Sequence, residues 1–91
     1  MKVPTIELQA RAERACVRGG RVVVRLAGGR NFSFPWERNA RLRSASPAAR
    51  TNLELICDGT GLHWPDLDED LSISGILAGR FGAELPPAFR R

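Results

Sequence analysis

The sequence has no tyrosine, one histidine, one methionine and only two cysteines. It also lacks any apolar run near the roughly 20 residues that span a bilayer, so a membrane-spanning helix is excluded. The opening stretch Met1-Lys2-Val3-Pro4-Thr5-Ile6-Glu7 reaches an acid before any long apolar segment, unlike a secretory signal. Cys16 and Cys57 are too few for a disulfide framework, so reduced thiols in the cytoplasm are expected. Two cysteines and one histidine without metal-ligand spacing make no zinc set. There is no Walker loop and no dinucleotide fingerprint; Gly28-Gly29 reads as a hairpin turn. No cofactor is expected.

What is present is arginine. Thirteen of the fourteen basic residues are arginine, and they are unevenly placed. Residues 1–50 hold eleven basic and three acidic groups, whereas residues 51–79 hold six acids and no lysine or arginine. A formal net charge of +4 would point to nucleic acid if it were evenly spread. The segregation weakens that inference, because the acidic half can cover the basic half in the fold. At 91 residues the chain holds one modest core and no second domain.

Alternation dominates the first third. Ile6, Leu8, Ala10 and Ala12 alternate with polar residues, and the pattern runs on through Ala15 and Val17 as one long or bent strand. Gly19-Gly20 marks a two-residue hairpin turn. Arg21 to Leu26 follows, then a turn and Arg30 to Phe34. A three-residue loop pairs Val24 with Phe32 and Val22 with Phe34, apolar against apolar. A two-residue loop would set those positions against polar partners, so three residues are expected, with Gly29 left-handed. The reading is an α+β fold: a small antiparallel sheet built on a three-strand meander over residues 12–34, with one or two short helices packed on one face. Trp36 to Ser46 reads as basic and irregular, anchored by Trp36 and Leu42. Ser46-Pro47 opens a short helix to about Thr51. Leu53 to Cys57 and Leu62 to Trp64 read as strands around a turn at 58–61. Ser72 caps a last helix whose apolar face is Ile73, Ile76 and Leu77, ended by Gly79. Gly75 should weaken that helix by about 1 kcal/mol. Residues 1–79 form the domain and residues 80–91 a loosely held basic tail.

The run Gly61-Leu62-His63-Trp64-Pro65-Asp66-Leu67-Asp68-Glu69-Asp70-Leu71-Ser72-Ile73 resembles a family of small bacterial proteins, the domain of unknown function 2442. The Gly28-Gly29-Arg30 hairpin and the Pro35-Trp36…Arg41-Leu42 run fit the same family, and the resemblance spans about residues 5–79. It implies a role as an antitoxin-like partner of a small neighbouring protein. Some members carry a helix-turn-helix after this domain; about a dozen residues remain here, so DNA recognition by that module is not carried over.

Two charged constellations are candidate contact surfaces. The Gly19-Gly20 turn sets Arg18 opposite Arg21 and Arg14 opposite Arg25, all pointing away from Val17, Val22 and Val24. Like charges facing each other cost stability unless solvated or covered by an anion. The second is Asp66, Asp68, Glu69 and Asp70. It begins like a calcium loop, but Leu71 stands where glycine is required and Leu77 where the bidentate acid is required. Its simplest role is a solvated approach to the Ser72 helix, and its alternative is ion pairing with arginines. His63 and Cys57 can be imagined as a catalytic dyad, but no orienting group or oxyanion site accompanies them. The expected function is a non-enzymatic protein-binding module using Arg14, Arg18, Arg21, Arg25 and Asp66, Asp68, Glu69, Asp70. The alternative is a nucleic-acid-binding regulator on the arginine face, with Trp36 the one aromatic available for base stacking. An uncovered sheet edge also leaves pairing with a second copy open.

Overall fold

A computed structural model of the chain describes residues 10–82. The fold is α+β, but it holds two antiparallel three-stranded sheets where the sequence led to one. The first contains β1 (Ala12–Arg18), β2 (Arg21–Leu26) and β3 (Asn31–Pro35), in the order β1-β2-β3. Arg18 pairs with Arg21 across the Gly19-Gly20 turn. Val22 pairs with Phe34 and Val24 with Phe32. The Leu26 amide donates to the Arg30 carbonyl at 2.7 Å, which closes a three-residue loop. Both Gly28 and Gly29 have positive φ there (97° and 96°), where one was expected.

The bend in the first strand has a definite origin. Ala12 pairs with Leu26 but Arg14 pairs with Arg25, so Glu13 is an inserted residue, a β-bulge. The insertion moves Ala12 from the arginine face to the buried face, where it is 6% exposed. Residues 6–9, where the strand was expected to begin, lie outside the described residues, as do residues 83–91 of the expected tail.

Between the sheets the chain is helical rather than irregular. A 3₁₀ turn at Trp36–Arg38 leads into α1 (Ala40–Arg43), followed by α2 (Pro47–Thr51). Asn39 caps α1, its side-chain oxygen accepting from the Leu42 amide at 3.0 Å. Ser46 caps α2 in the same way through the Ala49 amide. A four-residue helix shows too little periodicity to be seen in sequence, and its signal here is the cap. Arg50 then ties the segment together. Its guanidinium donates to the carbonyls of Leu42 and Ala45 and lies 3.7 Å over the Trp36 ring. Its own carbonyl accepts from the buried Trp64 indole at 2.9 Å.

The second sheet contains β4 (Glu54–Ile56), β5 (Gly61–Trp64) and β6 (Glu69–Ser72), in the order β4-β5-β6. Leu55, Leu62 and Leu71 form one cross-strand row, and Glu54, His63 and Asp70 form the next. α3 (Ile73–Leu77) follows directly, with the Ser72 hydroxyl accepting from the Gly75 amide. Gly75 is required there: a Cβ would stand 2.6 Å from that hydroxyl oxygen. Ile73 and Ile76 are buried, but Leu77, expected on the same apolar face, is 46% exposed at the end of the helix.

One buried cluster joins the two sheets, including Val22, Val24, Phe34, Leu42, Leu62, Trp64 and Ile73. They approach each other most closely at β1 and β4, two edge strands that are not hydrogen-bonded to one another. The β4–β5 turn sits at this seam. Cys57, Asp58 and Gly59 all have positive φ, and a Cβ on Gly59 would meet the Ala12 carbonyl oxygen at 2.6 Å. Gly59→Ala should therefore destabilise the fold by about 2–3 kcal/mol, a strained φ compounded by a backbone collision. Urea unfolding followed by tryptophan fluorescence checks this; a change below about 0.5 kcal/mol would show the seam to be soft.

Candidate functional site

The outer face of the first sheet carries the arginines. Arg14 stands opposite Arg25, Cys16 opposite Val23, and Arg18 opposite Arg21. All four arginines are exposed, and the row between the two arginine pairs is uncharged. The guanidinium groups have different fates. Arg21 donates through Nε to the Ser33 hydroxyl at 2.8 Å and through Nη2 to the Ser33 carbonyl, which ties it to β3. Arg25 lies 3.6 Å from the carboxylate of Glu13, the bulge residue. Arg14 and Arg18, both on edge strand β1, have no hydrogen-bond or ion-pair partner among the described residues. Beside them runs an open groove of about 490 Å³. Arg14, Arg18 and Arg25 line one side, Leu53, Glu54 and Leu55 the other.

The acidic segment does not meet this face. Among the described residues no ion pair joins Asp66, Asp68, Glu69 or Asp70 to Arg14, Arg18, Arg21 or Arg25. Glu69, grouped by sequence with the surface acids, is turned inward and 7% exposed. It accepts from the fully buried Asn39 amide at 2.8 Å and pairs with Arg41 Nε at 3.1 Å. Asp66 accepts from the Asn52 amide. Asp68 occupies the β5–β6 turn with φ of 51°. The sequence did contain the signal for Glu69: it alternates with Leu71 and Ile73, so a strand at 69–72 places it on the inner face.

Asn39 went unnoticed in the sequence and is the main polar junction of the interior. Its Nδ2 donates both to Glu69 and to the Phe81 carbonyl at 2.7 Å, while its Oδ1 caps α1. Phe81 stacks on Phe34 with ring centroids 5.0 Å apart, and a Cβ on the next residue, Gly82, would collide with Leu71 Cδ2.

His63 points away from Leu62 and Trp64, as its alternation requires, and takes Asp70 rather than Cys57 as its hydrogen-bond partner. Its pKa is raised from 6.5. The hydrogen bond the ring donates to Asp70 is the main cause, opposed in part by desolvation and reinforced by the charges of Asp70, Glu54 and Asp68. Cys57 is exposed in the β4–β5 turn.

This architecture defines a class: a small α+β domain of two edge-to-edge sheets with a charged outer face. Within that class, the match of residues 16–82 to the family described as protein of unknown function (DUF2442) shows that the chain belongs to it. It is similar to a protein of unknown function from Rhodospirillum rubrum, known from a crystal structure. The two are 37% identical, with 90% of this chain and 98% of that one covered, at a TM-score of 0.77. It is also similar to an uncharacterised protein from Chromobacterium violaceum, known from solution NMR. There the identity is 28%, over 80% of this chain and 69% of that one, at a TM-score of 0.69. No curated protein matches. Among the described residues no helix is long and apolar enough to cross a membrane.

Two outcomes follow from the geometry. Asn39→Ala removes a helix cap and leaves a buried carboxylate short of a donor, so it should cost about 2–4 kcal/mol in chemical denaturation. A loss under about 1 kcal/mol would show that Arg41 alone satisfies Glu69. The His63 ring should titrate above 6.5 by proton NMR and fall toward the ordinary value in Asp70→Asn. A raised folded-state pKa means that the pair stabilises the fold fully below the unfolded pKa, and the contribution is lost as pH rises through the folded value. Stability of wild type relative to Asp70→Asn should shrink on going from pH 5.5 to pH 8; a difference that grows would contradict the assignment.

Proposed function

We propose that the chain is a non-enzymatic protein-binding module, an antitoxin-like partner of a small protein, which meets that partner through the arginine face. The observation that carries this is the pair Arg14 and Arg18: two exposed guanidinium groups on an edge strand, beside a partly apolar groove and without a partner among the described residues. Such a face is held at an electrostatic cost that a carboxylate-bearing partner would relieve. In this reading the acidic segment is not the contact surface: Asp66 is engaged by Asn52, Asp70 by His63, and Glu69 serves the interior. We place the protein in the cytoplasm, where its free Cys16 and Cys57 stay reduced.

Nucleic acid would also satisfy the arginines, but it has less support. Trp36, the aromatic expected to stack on bases, donates its indole N–H to the Gly19 carbonyl and lies under Arg50. Among the described residues no aromatic side chain is exposed.

The test is affinity capture from native cells with and without nuclease, using wild type and the Arg14→Glu/Arg18→Glu variant. The expected result is a stoichiometric small protein that survives nuclease and is lost from the double variant. Capture that depends on nucleic acid, with a log–log salt slope near −3.6 for about four phosphates, would replace this reading.

A further inference from the structure

We infer that the groove beside β1 receives an extended segment of an acidic partner, with carboxylates at positions i and i+4 and an apolar side chain at i+2. This rests on the protein-binding reading above and specifies the chemistry of that partner. Arg14 and Arg18 are four residues apart on one strand, so their Cα atoms are about 13 Å apart. An extended segment laid along β1 over the arginine face has the same repeat, and its side chains at i, i+2 and i+4 point down onto that face, with i and i+4 level with the two arginines. Between them lies the Cys16–Val23 row, uncharged and about 6.7 Å from either arginine row. An apolar side chain at i+2 meets it. Arg25, opposite Arg14, is already 3.6 Å from the Glu13 carboxylate, so Arg14 is the principal contact of the first carboxylate. Glu54 on the far side repels a carboxylate displaced toward β4 and so selects the side of the strand that carries the acids. The outer edge of β1 already faces β4 across the seam, so the segment lies in the groove over the arginine face and does not extend the sheet as a fourth strand.

A phosphate chain fits this pattern less well, because the uncharged row interrupts the basic track where another phosphate would fall. Self-association through the acidic segment also fits less well. Asp66 and Asp68 lie in a turn, and Asp70 is held by His63.

The test uses the full chain in a Cys57→Ser background and two fluorescein-labelled peptides of the same composition. One carries aspartates at i and i+4 with valine at i+2; the other carries them at i and i+3, on opposite faces of a strand. Anisotropy should show the first binding about tenfold tighter or more. Saturation with it should slow iodoacetamide alkylation of Cys16 severalfold, which locates the site independently of affinity. Arg14→Gln should weaken the first peptide about tenfold, and Arg43→Gln, on α1, should leave it unchanged. Equal affinity for both peptides, each lost in Arg14→Gln, would overturn the strand register and leave the arginine-face reading intact. Binding of neither peptide, while the captured partner still depends on Arg14 and Arg18, would overturn this inference alone. Tighter, steeply salt-dependent binding of an oligonucleotide that protects Cys16 would overturn both.

Discussion

The fold turns on one buried amide. Asn39 caps α1, holds the carboxylate of Glu69 at the start of β6 and holds the Phe81 carbonyl beyond α3. Three segments far apart in sequence therefore converge on a single fully buried side chain. A small core cannot keep a carboxylate in its interior unless that carboxylate is paired and hydrogen-bonded, and Arg41 with Asn39 does both. No buried side-chain polar atom among the described residues is left without a partner. The convergence also fixes the register of β6 against β5, since Glu69 lies opposite Trp64 and a one-residue slip would turn it away from Asn39.

The Glu13 bulge does comparable work at the other end. Without it, Ala12 would share the face of Arg14, and the Gly59 turn would have no small residue to sit on. With it, the strand is apolar inward along its whole length and carries Arg14, Cys16 and Arg18 outward. The two sheets can then approach edge to edge without hydrogen-bonding, and the groove beside the arginines is a consequence of that seam. Charge segregation in the sequence is relieved in part by pairs between the two halves, Arg11 with Asp58 and Arg41 with Glu69, while Arg14 and Arg18 of β1 stay outside.

Much of the first sheet was legible because its patterns are local. Pairing of Val22 with Phe34 and Val24 with Phe32 follows from refusing to set apolar against polar, and the facing arginines follow from a two-glycine turn. The second sheet was only half legible. β4 and β5 alternate visibly, but β6 hides in an acidic run, where composition suggested solvent and alternation would have shown an inner and an outer face. α1 is a single turn whose signal is Asn39, a residue equally at home in a loop. The arginine face was assembled correctly as a face. Which of its members are engaged was not legible, because Ser33 and Glu13 reach them through pairing and a bulge.

The central claim is that the outer side of β1, and not the acidic side of the second sheet, is where this domain meets its partner. Amide chemical-shift mapping of the labelled chain with its captured partner tests it most directly. The account predicts shifts concentrated at residues 14–18, 23–25 and 53–55, with His63, Asp66 and Asp70 changing little. Shifts confined to residues 63–70, with the Arg14 and Arg18 amides unmoved, would contradict it.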